Sequence, residues 1–116
     1  MRPLTHPSTD DVSLEAILHA LSDPVRMAIY AELEHADGPQ SCTRFATALE
    51  RGIPKSTLSQ HFRVLREAGL VHSERQGVEM RNTSRRADID RRFPGLLDAI
   101  MSAYRQQMGE RSTPAS

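Results

Sequence analysis

A mainly α-helical chain with one small β-hairpin, in all about five to six helices plus a two-stranded wing, is the fold class this sequence predicts. Three observations carry the prediction. In most segments bounded by Gly or Pro, apolar residues recur at three- and four-residue spacing. Only residues 70–83 read as two strand-like stretches around a turn. The chain has 116 residues, 38% of them hydrophobic, with no Trp and only three Phe and two Tyr. That is enough for one domain with an aliphatic core and excludes a large aromatic one.

The same composition excludes other classes. The longest uninterrupted apolar run, Met27–Ala31, has five residues, against the roughly 20 a membrane span needs. The N-terminal stretch MRPLTHPSTD has no apolar signal segment. Cys42 is the single cysteine, so it forms no internal disulfide and no multi-thiolate zinc site. A cytoplasmic protein with no membrane partner is expected.

The elements follow in chain order. Residues 1–10 and 110–116 are rich in Pro, Ser and Thr and read as disordered tails around a domain at 11–109. Leu14, Ile17, Leu18 and Leu21 have helical spacing and predict a helix near 12–21. Asp23-Pro24 reads as an N-cap followed by Pro at the first helical position. The helix it opens carries Val25, Ala28, Ile29 and Leu33 on one face and stops before Asp37-Gly38-Pro39. A short helix is expected at about 43–51, with Phe45, Ala46 and Leu49 inward and Gly52 as its stop. Pro54 opens the next helix, and Gly69 ends it. Leu70–Arg75 and Val78–Thr83 flank Gln76-Gly77 as a hairpin. A two-residue loop at Gln76-Gly77 would set Glu74 opposite Glu79, which is unfavourable, so a looser tip or a shifted register is expected. A short helix near 86–92 and a last helix from Pro94 to about 108 complete the order.

Charge is distributed unevenly along the chain. The 15 Lys+Arg and 15 Asp+Glu cancel. Residues 1–50 nevertheless hold three Arg against eight acids, and residues 51–92 hold ten cations against five acids. The basic stretch suits either a polyanion partner or a solvated, salt-bridged surface. Arg outnumbers Lys by 14 to 1, and Arg favours bidentate phosphate and guanine contacts.

Two helices joined around Gly52-Ile53-Pro54 and followed at once by a hairpin suit a winged helix-turn-helix, in which the second helix of the pair enters the major groove of double-stranded DNA. A helical wheel at about 100° per residue tests this: Leu58, Phe62 and Leu65 share a sector of about 60°. Ser56, Gln60, Arg63 and Glu67 lie opposite, with Thr57 and Ser59 on the flanks. The outward face of the first two turns therefore holds Lys55, Ser56, Thr57, Ser59 and Gln60. Short hydroxyl side chains let a helix sit deep in the groove, and Gln can pair with adenine through two hydrogen bonds. Arg63 is expected to hold phosphate. On the wing, Arg75 and Arg81 are expected to reach neighbouring phosphates or the minor groove.

The stretch HALSDPVRMAIYAEL, followed by KSTLSQHFRVLREAGLVHSERQG, resembles the ArsR/SmtB family of bacterial winged-helix transcriptional regulators across about residues 14–83. The resemblance implies a dimeric repressor that binds a palindromic operator. It also implies pairing through the first and last helices, where Leu14, Ile17, Leu18, Leu96, Leu97, Ile100, Met101 and Tyr104 fit the role. His61 occupies a family-typical place, as a packing or phosphate-contacting residue.

The chain also departs from the family pattern. Many members sense metals through a Cys-x-Cys pair, where this chain has Gln40-Ser41-Cys42-Thr43-Arg44. Others use Asp and His on the last helix, but no His follows His72. Neither metal site carries over, and no cofactor is expected. Cys42 reads either as a redox-sensitive thiol near a helix start or as a small buried apolar residue. No phosphate-binding Gly loop, paired metal-ligand motif or nucleophile elbow is present, so no enzyme is expected. Two alternatives stay open: a winged-helix protein-interaction module without DNA binding, and a thiol-responsive repressor using Cys42. No effector can be read from the chain.

Overall fold

The computed structural model describes residues 4, 6–36, 38, 40–41 and 53–112, without the side chains of 40, 41, 111 and 112. The short helix expected at 43–51, Cys42 and the last residues of the chain lie outside the described residues.

Ser13 starts the first helix, α1 (Leu14–Leu21), its hydroxyl accepting the Ala16 N–H at 3.1 Å. A 3-10 turn at Thr9–Asp11 precedes it, so α1 begins two residues later than the spacing predicts. Asp23 caps α2 (Pro24–His35) as expected, accepting from the N–H groups of Val25 at 2.8 Å and Arg26 at 3.0 Å. Burial opposes its charge, but those two donors and nearby Arg26 hold its pKa below the ordinary value.

Helix α2 packs against α1, the hairpin and the following helix. Its buried residues are Met27, Ile29, Tyr30, Ala31 and Leu33, a wider set than the single face expected. Val25 and Ala28 are only partly buried. The reason is position: a helix covered on several sides loses the one-sided pattern.

Helix α3 spans Lys55–Glu67 and buries Leu58, Phe62 and Leu65, the three residues the wheel selects. It ends in a Schellman motif. Gly69 N–H bonds Arg66 C=O, and Leu70 N–H bonds Leu65 C=O, each at 3.0 Å. Gly69 has φ +85°, and a Cβ there would lie 2.6 Å from a Val12 methyl. Glycine thus permits both the turn and the close approach of the chain ahead of α1.

The hairpin pairs β2 (Val71–Gln76) with β3 (Glu79–Ser84) around Gly77-Val78, with Gly77 at φ +63°. The loop lies one residue beyond Gln76-Gly77, so the unfavourable pair is avoided: Glu74 faces Arg81, and Gln76 faces Glu79. A positive-φ glycine at the first loop position matches the right-handed strand twist. Gln40–Ser41 forms an additional strand, β1, paired with β3, so the sheet order is β1-β3-β2, with β3 central and β2 on an outer edge. Two residues are too short to show any periodicity, and the sequence does not predict them. Helices α4 (Arg86–Arg92) and α5 (Leu96–Ser112) follow, separated by a turn with Gly95 at φ +86°.

Two expected boundaries move. Helix α5 continues through Ser112, past 109. At the other end, His6 and Pro7 are bonded to the body of the molecule instead of forming a free tail. Their composition favours disorder only in the absence of partners, and these two residues have them. Among the described residues, no helix is long and apolar enough to cross a membrane.

Candidate nucleic-acid interface

Leu58, Phe62 and Leu65 are at most 1% exposed. Anchoring one face this firmly turns Lys55, Ser56, Thr57, Ser59, Gln60 and Arg63 outward, and all six are exposed. A cleft of about 620 Å³ separates α3 from the wing; Lys55, Ser59, Gln60 and Arg63 line one side and Arg75 the other. Arg63 Nε lies 2.8 Å from Glu67 Oε1 in an exposed pair. Such a pair contributes about 0–1 kcal/mol and is readily exchanged for another anion.

The register decides what each wing arginine faces. Arg75 pairs across with Met80, and Ser73 with Asn82. Side chains alternate along a strand, so these four share one side of the sheet. That side faces α3: Arg66 Nη1 donates to Ser73 Oγ at 3.3 Å, and Ser73 Oγ donates to Asn82 Oδ1 at 2.6 Å. Arg75 has no ion-pair partner among the described residues. Arg81 lies on the other side, opposite Glu74, with its Nε 3.5 Å from Glu79 Oε2. The structure therefore does not bring the two expected wing cations together. Arg66, which braces the wing against α3, was missed by sequence reasoning. Its partner Ser73 lies on another element, and no local spacing signals the contact.

His61 turns away from the outward face toward the α1–α2 corner. Arg26 Nη1 lies 3.5 Å from His61 Nδ1, while Arg26 Nε donates to Ala20 C=O at 2.7 Å and Nη2 to His19 C=O at 3.3 Å. A guanidinium only donates, so this contact makes Nδ1 the acceptor. His61 is half-buried at this corner.

The basic character of residues 51–92 is partly cancelled at its C-terminal end. Arg85 pairs with Asp88 at 2.9 Å, and Arg86 pairs with Glu34 at 2.7 Å, with Asp90 at 2.9 Å and with Asp98. The hydrogen bond to Glu34 raises the Arg86 pKa most, against the opposing effect of burial. Tyr30 donates to Glu34 at 3.1 Å, and burial pushes its phenol well above the ordinary value. These groups tie α2, α4 and α5 together. Lys55 and Arg75, which line the cleft, lie outside these ion pairs. No group of three or more His, Cys, Asp and Glu suited to a metal ion occurs among the described residues.

The eight apolar residues assigned to subunit pairing divide. Ile17, Leu97 and Met101 are at most 1% exposed within one chain. They fill the core and offer no surface, because both helices use one stripe to pack inward. Leu14 and Leu18 are 38% and 48% exposed. Leu96, Ile100 and Tyr104 are partly buried at the margin of the core.

Comparison with known proteins agrees with this geometry. A family model described as a helix-turn-helix domain matches residues 21–74. An uncharacterized HTH-type transcriptional regulator of Bacillus subtilis, YceK, is 34% identical over 98 residues, covering 84% of this chain and 95% of that protein. The HTH-type transcriptional repressor SmtB of Mycobacterium tuberculosis is 38% identical over 65 residues, 55% of this chain and 44% of that protein. The solved structure of an ArsR-like transcriptional regulator from Rhodococcus superimposes with a TM-score of 0.57 at 26% identity, covering 84% of this chain and 87% of that one. Since the B. subtilis relative matches over nearly its whole length and the shared segment contains α2, α3 and the start of the wing, the chain belongs to the ArsR/SmtB family of winged helix-turn-helix transcriptional regulators.

Proposed function

We propose that the chain is a homodimeric repressor that reads a palindromic operator, with α3 in the major groove and the wing on the adjacent backbone. One observation carries the reading: the outward face of α3 presents Ser56, Thr57, Ser59 and Gln60 beside Lys55, and Arg75 of the wing faces the same cleft. Short polar side chains permit close approach to base edges, and the cations neutralise phosphates at the rim. Arg63 joins them by exchanging Glu67 for a phosphate. Leu14 and Leu18 of α1, both exposed in the single chain, form the pairing surface together with Leu96, Ile100 and Tyr104 of α5. The relative named as a repressor supports the sign of regulation.

The test is footprinting on the DNA flanking the chain's own coding sequence, with sedimentation of the protein alone. A protected inverted repeat and a dimer are expected. Protection of a single half-site by a monomer, or binding with no sequence preference, would refute the proposal.

A further inference from the structure

Near the N-terminus, His6 lies against β2, an outer strand of the wing sheet. His6 Nε2 accepts the backbone N–H of Ser73 at 3.0 Å, and its ring stacks on His72 with centroids 4.5 Å apart and planes inclined at 29°. Pro7 C=O accepts from Arg85 Nη1 at 2.8 Å. Pro7 also approaches Gly69, and Leu4 lies in the lining of the cleft between α3 and the wing. The segment thus joins the core ahead of α1 to the edge of β2.

We propose that His6 is a positioning residue for the wing: as a neutral imidazole it clamps the outer edge of β2, so that Arg75 keeps its place across the cleft from α3, and protonation of His6 opens the clamp.

The chemistry is specific. An imidazole nitrogen accepts a hydrogen bond only while it carries no proton. Protonated Nε2 would be a donor aimed at the Ser73 donor. The groups facing the ring are His72 and Glu74 from β2, Arg66 from α3 and Arg85 ahead of α4. Only Glu74 favours a cation there, and it already bonds His72 Nε2 at 3.0 Å. Burial foremost, then His72, Arg66 and Arg85, holds the His6 pKa below its ordinary 6.5. The docked ring therefore takes up a proton less readily than the free one. The clamp holds in full above pH 6.5 and weakens as pH falls through that value and below it.

The experiment compares the full chain with His6→Gln, whose amide oxygen takes the place of Nε2 without titrating, and with His6→Ala. In amide NMR spectra of the free protein, the Ser73 resonance is expected to follow the His6 ring below its ordinary pKa and to stay constant in His6→Gln. A wild-type Ser73 resonance indifferent to pH between about 7.5 and about 4.5 overturns the clamp, whatever the protein binds. The second arm rests on the DNA-binding reading and uses a mixed-sequence duplex. Relative to His6→Gln, wild-type affinity is expected to fall about threefold to tenfold across that range, the worth of one backbone hydrogen bond in an equilibrium constant. His6→Ala is expected to bind weakly at both ends of the range, and His6→Gln restores binding. Superimposable profiles for wild type and His6→Gln overturn the coupling to the wing. Absence of DNA binding by every variant at every pH overturns the DNA reading, and the Ser73 titration alone then decides the clamp.

Discussion

Arg75→Ala and Arg81→Ala, made separately, test the assignment of one face of the wing to DNA. The two residues lie on neighbouring strands of one hairpin, and composition does not distinguish them. The register does: Arg75 faces the cleft with α3, and Arg81 faces Glu74 and Glu79 on the reverse. A cation on one phosphate releases about 0.9 counterion, so losing Arg75 should reduce the slope of log affinity against log salt by about 0.9. Between about 50 and about 200 mM salt, that is about a 3.5-fold smaller loss of affinity than wild type shows. Arg81 projects from the opposite face of the sheet, away from α3, beside Glu74 and Glu79. Arg81→Ala should therefore leave the slope within about 0.3 of wild type. Fluorescence anisotropy of a labelled duplex, titrated at four or more salt concentrations, measures both. Equal slope changes for the two variants, or a larger one for Arg81→Ala, would refute the face assignment.

Gln60→Ala should relax discrimination at one base pair, by about 1–3 kcal/mol, while leaving the salt slope unchanged; competition with single-base operator variants measures it, and uniform weakening across all variants would contradict it. Leu18→Glu should weaken subunit association roughly tenfold or more by placing a carboxylate on an apolar contact; sedimentation equilibrium decides, and a dimer constant equal to wild type removes α1 from the pairing surface. Gly69→Ala should destabilise the fold by about 2–4 kcal/mol, about 1 from the left-handed backbone and the rest from the crowded Val12 methyl. Urea unfolding tests this, and a loss below about 0.5 kcal/mol would show that the chain ahead of α1 yields at no cost.

The candidate interface was legible in the sequence wherever one element sufficed to define it. Leu58, Phe62 and Leu65 set the inward face of α3, and that alone turned Ser56, Ser59 and Gln60 outward. Asp23-Pro24 and Gly69 marked helix ends because capping depends on a few adjacent residues. The reading was incomplete at α2, where Met27 and Tyr30 are buried by contacts from several elements at once. It also misplaced Ile17, Leu97 and Met101, since a helical stripe does not say whether it faces its own core or a second subunit. The charge balance of residues 51–92 left a polyanion partner and a salt-bridged surface both open; at the C-terminal end of the stretch, Arg85 and Arg86 are paired with acids on α2, α4 and α5.

By itself, the sequence determined the family, the order of the described helices and the outward face of α3, because side-chain spacing and caps act over one to two turns of chain. The tertiary structure alone decided the wing. The observed hairpin register set Arg81 between Glu74 and Glu79 and left Arg75 beside Met80 on the face toward α3, pairings that depend on contacts across two strands. It also decided the place of His6, whose partner Ser73 is 67 residues away. No local pattern encodes such a contact, because it exists only once the sheet edge and the N-terminal segment have packed on the same core.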